Sequence, residues 1–316
     1  MTTHFDFDEQ YRALRDGRAC VELADWSSVT LTGRDRQKFL NSFCTNDVKS
    51  LEPGTCCETF VLNVKGRILG HGLVSCRENE LVFAGMPHQS ARLVEHFDRY
   101  IIREDVQLRD STSERKYYFT FTSVAATFDD RARLLPWNLV GQRDGCLLEL
   151  DSQVIPENAA SLAMFEESDG SAAWRAFTAA RIEAGMPLFG VDFDEHNFPQ
   201  EVDRDRDAIS FTKGCYLGQE TVARIDALGH VNQKIVGVRF VESVLPAASV
   251  ELTKDGAKVG TVTSASFSPQ LSAALAIAMV RREACSTGTR MASSVGDCEV
   301  TPFPLRIPSL PGRGLR

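Results

Sequence analysis

From residue 231 onward every apolar stretch is short and none carries the 3.6-residue period of a helix. Residues 231–241, 250–253, 258–267, 273–281 and 290–294 read as strands, and Asp255-Gly256 stands between two of them. An Asp-Gly pair suits a two-residue hairpin because such turns need positive φ at their central positions. Short strands joined by turns, with no room for a long helix, close into a barrel or pack as a sandwich. Residues 230–316 are therefore expected to form a small β-barrel domain, with an irregular tail from Pro302.

The preceding 1–229 region reads differently, because helical and strand periods alternate along it. An amphipathic helix bearing Tyr11 and Leu14 leads into a strand at 20–23, and a second strand at 29–32 leads into a helix near Asp35 with Phe39, Leu40 and Phe43 on one side. Thr45-Asn46-Asp47 is a cluster of turn formers that stops this helix. Residues 55–64 and 67–74 are expected to pair across a bend at Lys65-Gly66. Further strands are expected at 81–83, 106–108, 117–124 and 146–150, and helices at 87–101, 156–165 and 172–184, the last stopped by Gly185 and Pro187. This order predicts an α+β fold: two α+β subdomains with antiparallel sheets, rather than a doubly wound sheet.

Composition narrows the function. Asp and Glu (43) outnumber Lys and Arg (35), a formal charge of -8, which argues against a protein that coats nucleic acid directly. The nine cysteines include no C-x-x-C pair and the six histidines lie singly, so no metal site is expected. Scattered, unpaired cysteines fit a reducing compartment. The acidic start lacks a signal-peptide core and the apolar run 273–280 is too short to span a bilayer, so a cytoplasmic, membrane-free and monomeric protein is expected. No phosphate-binding loop, dinucleotide fingerprint or serine-hydrolase elbow is present.

Two stretches remain that carry chemistry. In the first, a strand-like entry at Ile209 and Phe211 breaks into Lys213-Gly214-Cys215-Tyr216-Leu217-Gly218-Gln219-Glu220, which leads to a helix bearing Arg224. Gly214 and Gly218 permit a sharp bend that can present Cys215, and a cation such as Lys213 favours a thiolate. Arg224 adds positive potential suited to an anionic ligand. The plainer reading is a tight turn filled by a buried thiol. In the second stretch, Glu183 falls in the last turn of its helix, where the dipole disfavours a negative charge by about 0.3–1 kcal/mol. It is either a solvated helix-end residue, a partner of Arg181, or a carboxylate retained to bind a ligand's paired donors.

Lys-Gly-Cys-Tyr-x-Gly-Gln-Glu followed by an arginine resembles the signature of the YgfZ family of folate-binding proteins, relatives of the glycine-cleavage T-protein. The string from Arg181 to Gly190 resembles the superfamily segment whose glutamate binds the pterin. The segments from Phe39 to Gly54, from Asn63 to Arg67 and from Gly260 to Val280 are similar to other superfamily motifs. The resemblance implies two α+β subdomains and a barrel, and tetrahydrofolate or a derivative as cofactor. It implies Glu183 as pterin anchor, with Arg181, Arg224, Lys65 and Asn46 as further folate contacts, and Cys215 with Lys213 as the working thiol. It also implies iron–sulfur client or assembly proteins as partners, and through them a link to tRNA modification.

One departure bears on activity. Where the T-protein carries a catalytic aspartate, this chain reads Ile68-Leu69-Gly70-His71, so aminomethyl transfer is not expected. A folate-dependent methyl or one-carbon transferase, and a non-catalytic interaction protein on the same fold, are the alternative readings.

Overall fold

The protein is described by a computed structural model over residues 7–121, 132–137, 145–153, 163–165 and 171–303. The chain divides into two compact units. Among the described residues, one comprises 7–121, 132–137, 145–153, 163–165, 171–177 and 188–231, and the other 178–187 and 232–303.

The first unit is built on two five-stranded sheets. One has the order β3-β4-β5-β2-β6, from Cys56–Leu62 (β3), Ile68–Cys76 (β4), Glu80–Gly85 (β5), Ser27–Thr32 (β2) and Gln107–Asp110 (β6), and is antiparallel throughout. Helices Arg36–Asn41 (α2) and Ser90–Asp98 (α3) contribute Phe39, Leu40, Leu93 and Phe97 to its core, beside Val29, Leu31, Val61 and Phe83. The other sheet has the order β10-β1-β7-β9-β8, from Ala163–Phe165 (β10), Ala19–Leu23 (β1), Arg115–Phe121 (β7), Gly145–Asp151 (β9) and Arg133–Trp137 (β8). Its edge strand β10 runs parallel to β1, and its other pairings are antiparallel. The amphipathic helix Phe7–Arg15 (α1) buries Tyr11 and Leu14 as its period requires.

Two expectations fail here in part. The helix expected at 156–165 ends in strand β10, while 154–162 lies outside the described residues. Residues 122–124 of the strand expected at 117–124 lie outside them too. The strand-like entry at 209–211 is a bend: the Ser210 N–H donates to the Thr45 carbonyl at 3.0 Å and Phe211 is half exposed.

In the second unit, Gln233–Phe240 (β11), Glu251–Lys254 (β12), Ala257–Ser268 (β13), Ala273–Arg281 (β14), Arg290–Ser293 (β15) and Gly296–Thr301 (β16) form a closed barrel in the order β11-β14-β13-β12-β15-β16. The expected turn at Asp255-Gly256 joins β12 to β13, both residues having positive φ. Strand β14 is the apolar run of the sequence, and it is buried on both faces over most of its length. That double burial removes the usual alternation with polar residues. One face places Ala274, Ala276 and Ala278 in the barrel core with Val236, Val262 and Met291. No helix among the described residues is long and apolar enough to cross a membrane.

The alanines of β14 leave no room for larger side chains in a closed barrel. Replacing Ala276 by Phe is expected to destabilise the protein by about 1–3 kcal/mol through overpacking, measured as a lower denaturation midpoint with the barrel retained by circular dichroism.

Candidate functional site

The Cys215 loop lies between helix Asp205–Ala208 (α5) and helix Gln219–Leu228 (α6), and is held at both ends. At one end stands Lys213. Expected as the cation beside Cys215, its ammonium is directed at backbone: it donates to the carbonyls of Asn41 (2.8 Å), Cys44 (2.6 Å) and Asn46 (2.6 Å). These are carbonyls at the end of α2 and in the turn after it, which a helix leaves without intrahelical donors. Three bonds use all three ammonium hydrogens. Burial pulls the Lys213 pKa below its ordinary value, against the opposing pull of Cys44, Asp47 and Cys57. The Leu217 N–H adds a bond to the Ser42 carbonyl at 2.8 Å.

The other end is a backbone contact. Gly66 (φ +77°) and Gly218 (φ +81°) face each other, and a Cβ on Gly218 would meet the Asn63 carbonyl oxygen at 2.7 Å and Gly66 Cα at 2.9 Å. A Cβ on Gly66 would meet Thr221 Cβ at 2.7 Å. Both positions need glycine for space as well as for conformation. The 63–67 hairpin, with Lys65 exposed at its bend, is thus seated on the second half of the cysteine motif. Arg67 stacks over the Phe198 ring at 3.7 Å, fixing the hairpin on its other side.

Between these anchors Cys215 is exposed, alone among the nine cysteines, all of which are free thiols. The plainer reading, a buried thiol filling a turn, does not describe it. Burial pushes the thiols of Cys44, Cys56 and Cys298 up to about 11 and that of Cys20 up to about 12, and raises Cys57 further. Such thiols are poor nucleophiles at neutral pH. Arg224 is exposed on α6, whose one buried residue is Val222. Asn46 spends both amide hydrogens on the carbonyls of Glu58 and Asp207, each at 2.8 Å, which ties strand β3 to α5.

Beneath this loop system lies a buried group that the sequence reading missed. Glu58 on β3 is 5% exposed and receives four donors. His71 Nε2 (2.8 Å) and Arg204 Nε (2.9 Å) reach Oε1; Arg204 Nη2 and Trp137 Nε1 (3.1 Å) reach Oε2. Burial alone would raise the Glu58 pKa, but the Arg204 charge and these hydrogen bonds outweigh it and hold the carboxyl at about 2. His71 is stacked on Phe60 (centroids 4.7 Å) and meets Phe193 edge-on. An imidazole and a carboxylate therefore do stand beside the stretch where an aspartate was sought. Both Glu58 oxygens are already saturated, so the pair reads as a structural brace and not as an acid–base catalyst.

In the second unit, Glu183 closes helix Ala172–Ala184 (α4) and is 1% exposed, which removes the solvated helix-end reading. The Ser268 hydroxyl at the end of β13 donates to its Oε1 and accepts from the Leu271 N–H at 3.0 Å. Two stretches singled out in the sequence, around Glu183 and around Ser268, thus meet. Arg181, also 1% exposed, donates to the Met186 carbonyl at 3.2 Å across the Gly185 stop. Of the expected site residues, Lys213 and Asn46 are in direct contact, the Lys65 hairpin abuts the Cys215 loop, and Arg181 and Glu183 belong to the other compact unit.

Two family models match the chain, the GCVT N-terminal domain over residues 3–118 and the glycine cleavage T-protein C-terminal barrel domain over residues 233–306. The chain belongs to the T-protein-like superfamily. It is 27% identical over 267 residues to a tRNA-modifying protein YgfZ of Yersinia pseudotuberculosis, covering 78% of this chain and 79% of that protein. It is 22% identical over 308 residues to an aminomethyltransferase of Thermoanaerobacter pseudethanolicus, covering 89% and 83%. The glycine cleavage system aminomethyltransferase T of Bartonella henselae superposes with a TM-score of 0.81 at 16% identity, over 95% of this chain and 89% of that one. That likeness establishes the T-protein-like fold.

Because the Glu58 pKa is depressed in the fold, its stabilisation is complete above the ordinary carboxylate value of 4.5 and is lost as pH falls through about 2. Glu58→Gln, which leaves the buried Arg204 with only its longer contact to Asp207 at 3.4 Å, is expected to cost about 3 kcal/mol at neutral pH. The variant's stability should then fall less steeply than the parent's between pH 4.5 and 2, as read from urea denaturation at a series of pH values.

Proposed function

We propose that this T-protein-like chain is a tetrahydrofolate-binding accessory protein that supports iron–sulfur protein maturation or repair and, through such enzymes, tRNA modification. The observation that carries this reading is Cys215: the exposed thiol of the nine, in a YgfZ-type motif, on a loop fixed by the Lys213 clamp and the Gly66–Gly218 contact. In this reading Cys215 is the working thiol and Lys213 a positioning residue that holds its loop. The similarity to a tRNA-modifying protein YgfZ over 78% of the chain supports the assignment. The partners are iron–sulfur clients or assembly proteins, and the setting is the cytoplasm.

The donor set fits a folate. Glu183 is a carboxylate kept out of water with a serine hydroxyl on one oxygen, and a carboxylate is the acceptor that a pterin's paired N–H donors require. Glu183 is the pterin anchor of the proposal, with Arg181, Asn46, Lys65 and Arg224 as further folate contacts. When bound, tetrahydrofolate supplies a reduced pterin able to carry one-carbon units. The saturated Glu58 and the Leu69-Gly70 stretch leave these described groups without a free carboxylate for aminomethyl transfer.

Glu183→Ala should weaken tetrahydrofolate binding about ten- to a hundred-fold, the equivalent of one charge-assisted pairing, by anaerobic calorimetry. Undiminished affinity would remove Glu183 from the site. Cys215 should alkylate faster than the other thiols in the native protein, and Cys215→Ser should bind folate normally yet fail to restore iron–sulfur enzyme activity in cells lacking the endogenous protein. Full rescue by Cys215→Ser would strip the thiol of its role.

A further inference from the structure

An irregularity in strand β13 decides what holds the Glu183 carboxylate in the second unit. The register of β13 against β14 shifts between Val262 and Ser264. An extra residue in one strand reverses which of the later side chains face the core. Val262 before the shift and Ala265 after it pack toward the barrel core, so Ser264, Ser266 and Ser268 fall on the opposite face, where all three are buried. Their register partners Ile277, Leu275 and Ala273 alternate with the core residues Ala278, Ala276 and Ala274. Buried hydroxyls need hydrogen-bond partners. Ser266 turns back on the Phe267 carbonyl at 3.3 Å, whereas Ser268, at the end of the row and 1% exposed, reaches Glu183.

The direction of that bond is fixed. Ser268 Oγ accepts from the Leu271 N–H at 3.0 Å, inside the β13–β14 turn, so its one proton is left for Glu183 Oε1. Backbone fixes the other end of the glutamate. Gly185 (φ +70°) stops α4, with its N–H on the Ile182 carbonyl at 3.0 Å and the Met186 N–H on the Arg181 carbonyl at 2.8 Å. A Cβ on Gly185 would meet Phe303 Cγ at 2.4 Å, so the segment after β16 closes against this stop. A carboxylate has about four lone-pair sites in its plane, and Oε1 can accept from the serine and from a ligand together. Paired N–H donors are recognised only when that plane is set. A neutral side chain could tie α4 to the barrel at a lower desolvation cost, so the charge and its orienting hydroxyl together suit a ligand edge.

We propose that Ser268 is a positioning residue of the folate site, setting the plane of the Glu183 carboxylate for the pterin edge. The inference rests on Glu183 as the pterin anchor.

The test is anaerobic calorimetry of the full-length protein with tetrahydrofolate, on the parent, Ser268→Ala, Glu183→Ala and the double variant. Ser268→Ala should weaken binding about three- to ten-fold. In the Glu183→Ala background the same change should have no further effect, because the hydroxyl acts through the carboxylate. Ser268→Ala also deprives the Leu271 N–H of its acceptor and should lower the denaturation midpoint. A loss of affinity from that cause would appear undiminished in the Glu183→Ala background. Full affinity in Ser268→Ala, or an equal loss in both backgrounds, would overturn the inference and leave the folate reading in place. A parent protein that does not bind tetrahydrofolate would overturn both.

Discussion

One ammonium group gathers much of the first unit's irregular backbone. Lys213 satisfies three carbonyls that the end of α2 and the turn after it leave exposed to a low-dielectric interior. Without it these carbonyls would lose a charged donor, although that of Asn46 would keep the Val48 N–H at 3.1 Å. Charge and position are both needed: a neutral donor makes fewer bonds, and a residue elsewhere in the loop would not reach. The Thr45-Asn46-Asp47 turn, the α5 helix bonded to Asn46 and the exposed thiol two residues past the lysine all depend on this contact.

The buried Glu58 group plays the matching part within the sheets. Its carboxylate joins strand β3 to β4 through His71, to β8 through Trp137 and to the segment before α5 through Arg204. A charged group so enclosed is tolerated because every lone pair has a donor. It contributes specificity of arrangement: a slip of β3 by one residue would take the carboxylate out of reach of all three partners.

Much of the fold was legible in the sequence, because hydrophobic period and turn chemistry are local. The five barrel strands read from periodicity were found, and the Asp255-Gly256 bend lies where expected. Strand β16 was missed because Asp297 and Glu299 on its exposed face dilute the apolar signal of Cys298 and Val300. The helix expected to end at 165 shows the same weakness for a short edge strand, β10, which alternation cannot distinguish over three residues. The Glu58–Arg204 pair could not be seen, since its members stand 146 positions apart and each alone reads as an ordinary solvated charge. A glutamate inside an otherwise apolar strand was the available signal. Lys213 was visible as a residue of interest, but its direction was not, because the carbonyls it serves lie far back in the chain.

The Gly66–Gly218 contact has a mechanical consequence. Where two backbones touch without side chains between them, there is no flexible padding to absorb a displacement. The spacing of the 63–67 hairpin from the start of α6 is thereby set by main chain alone, and a methyl group at either glycine would have to push the two apart.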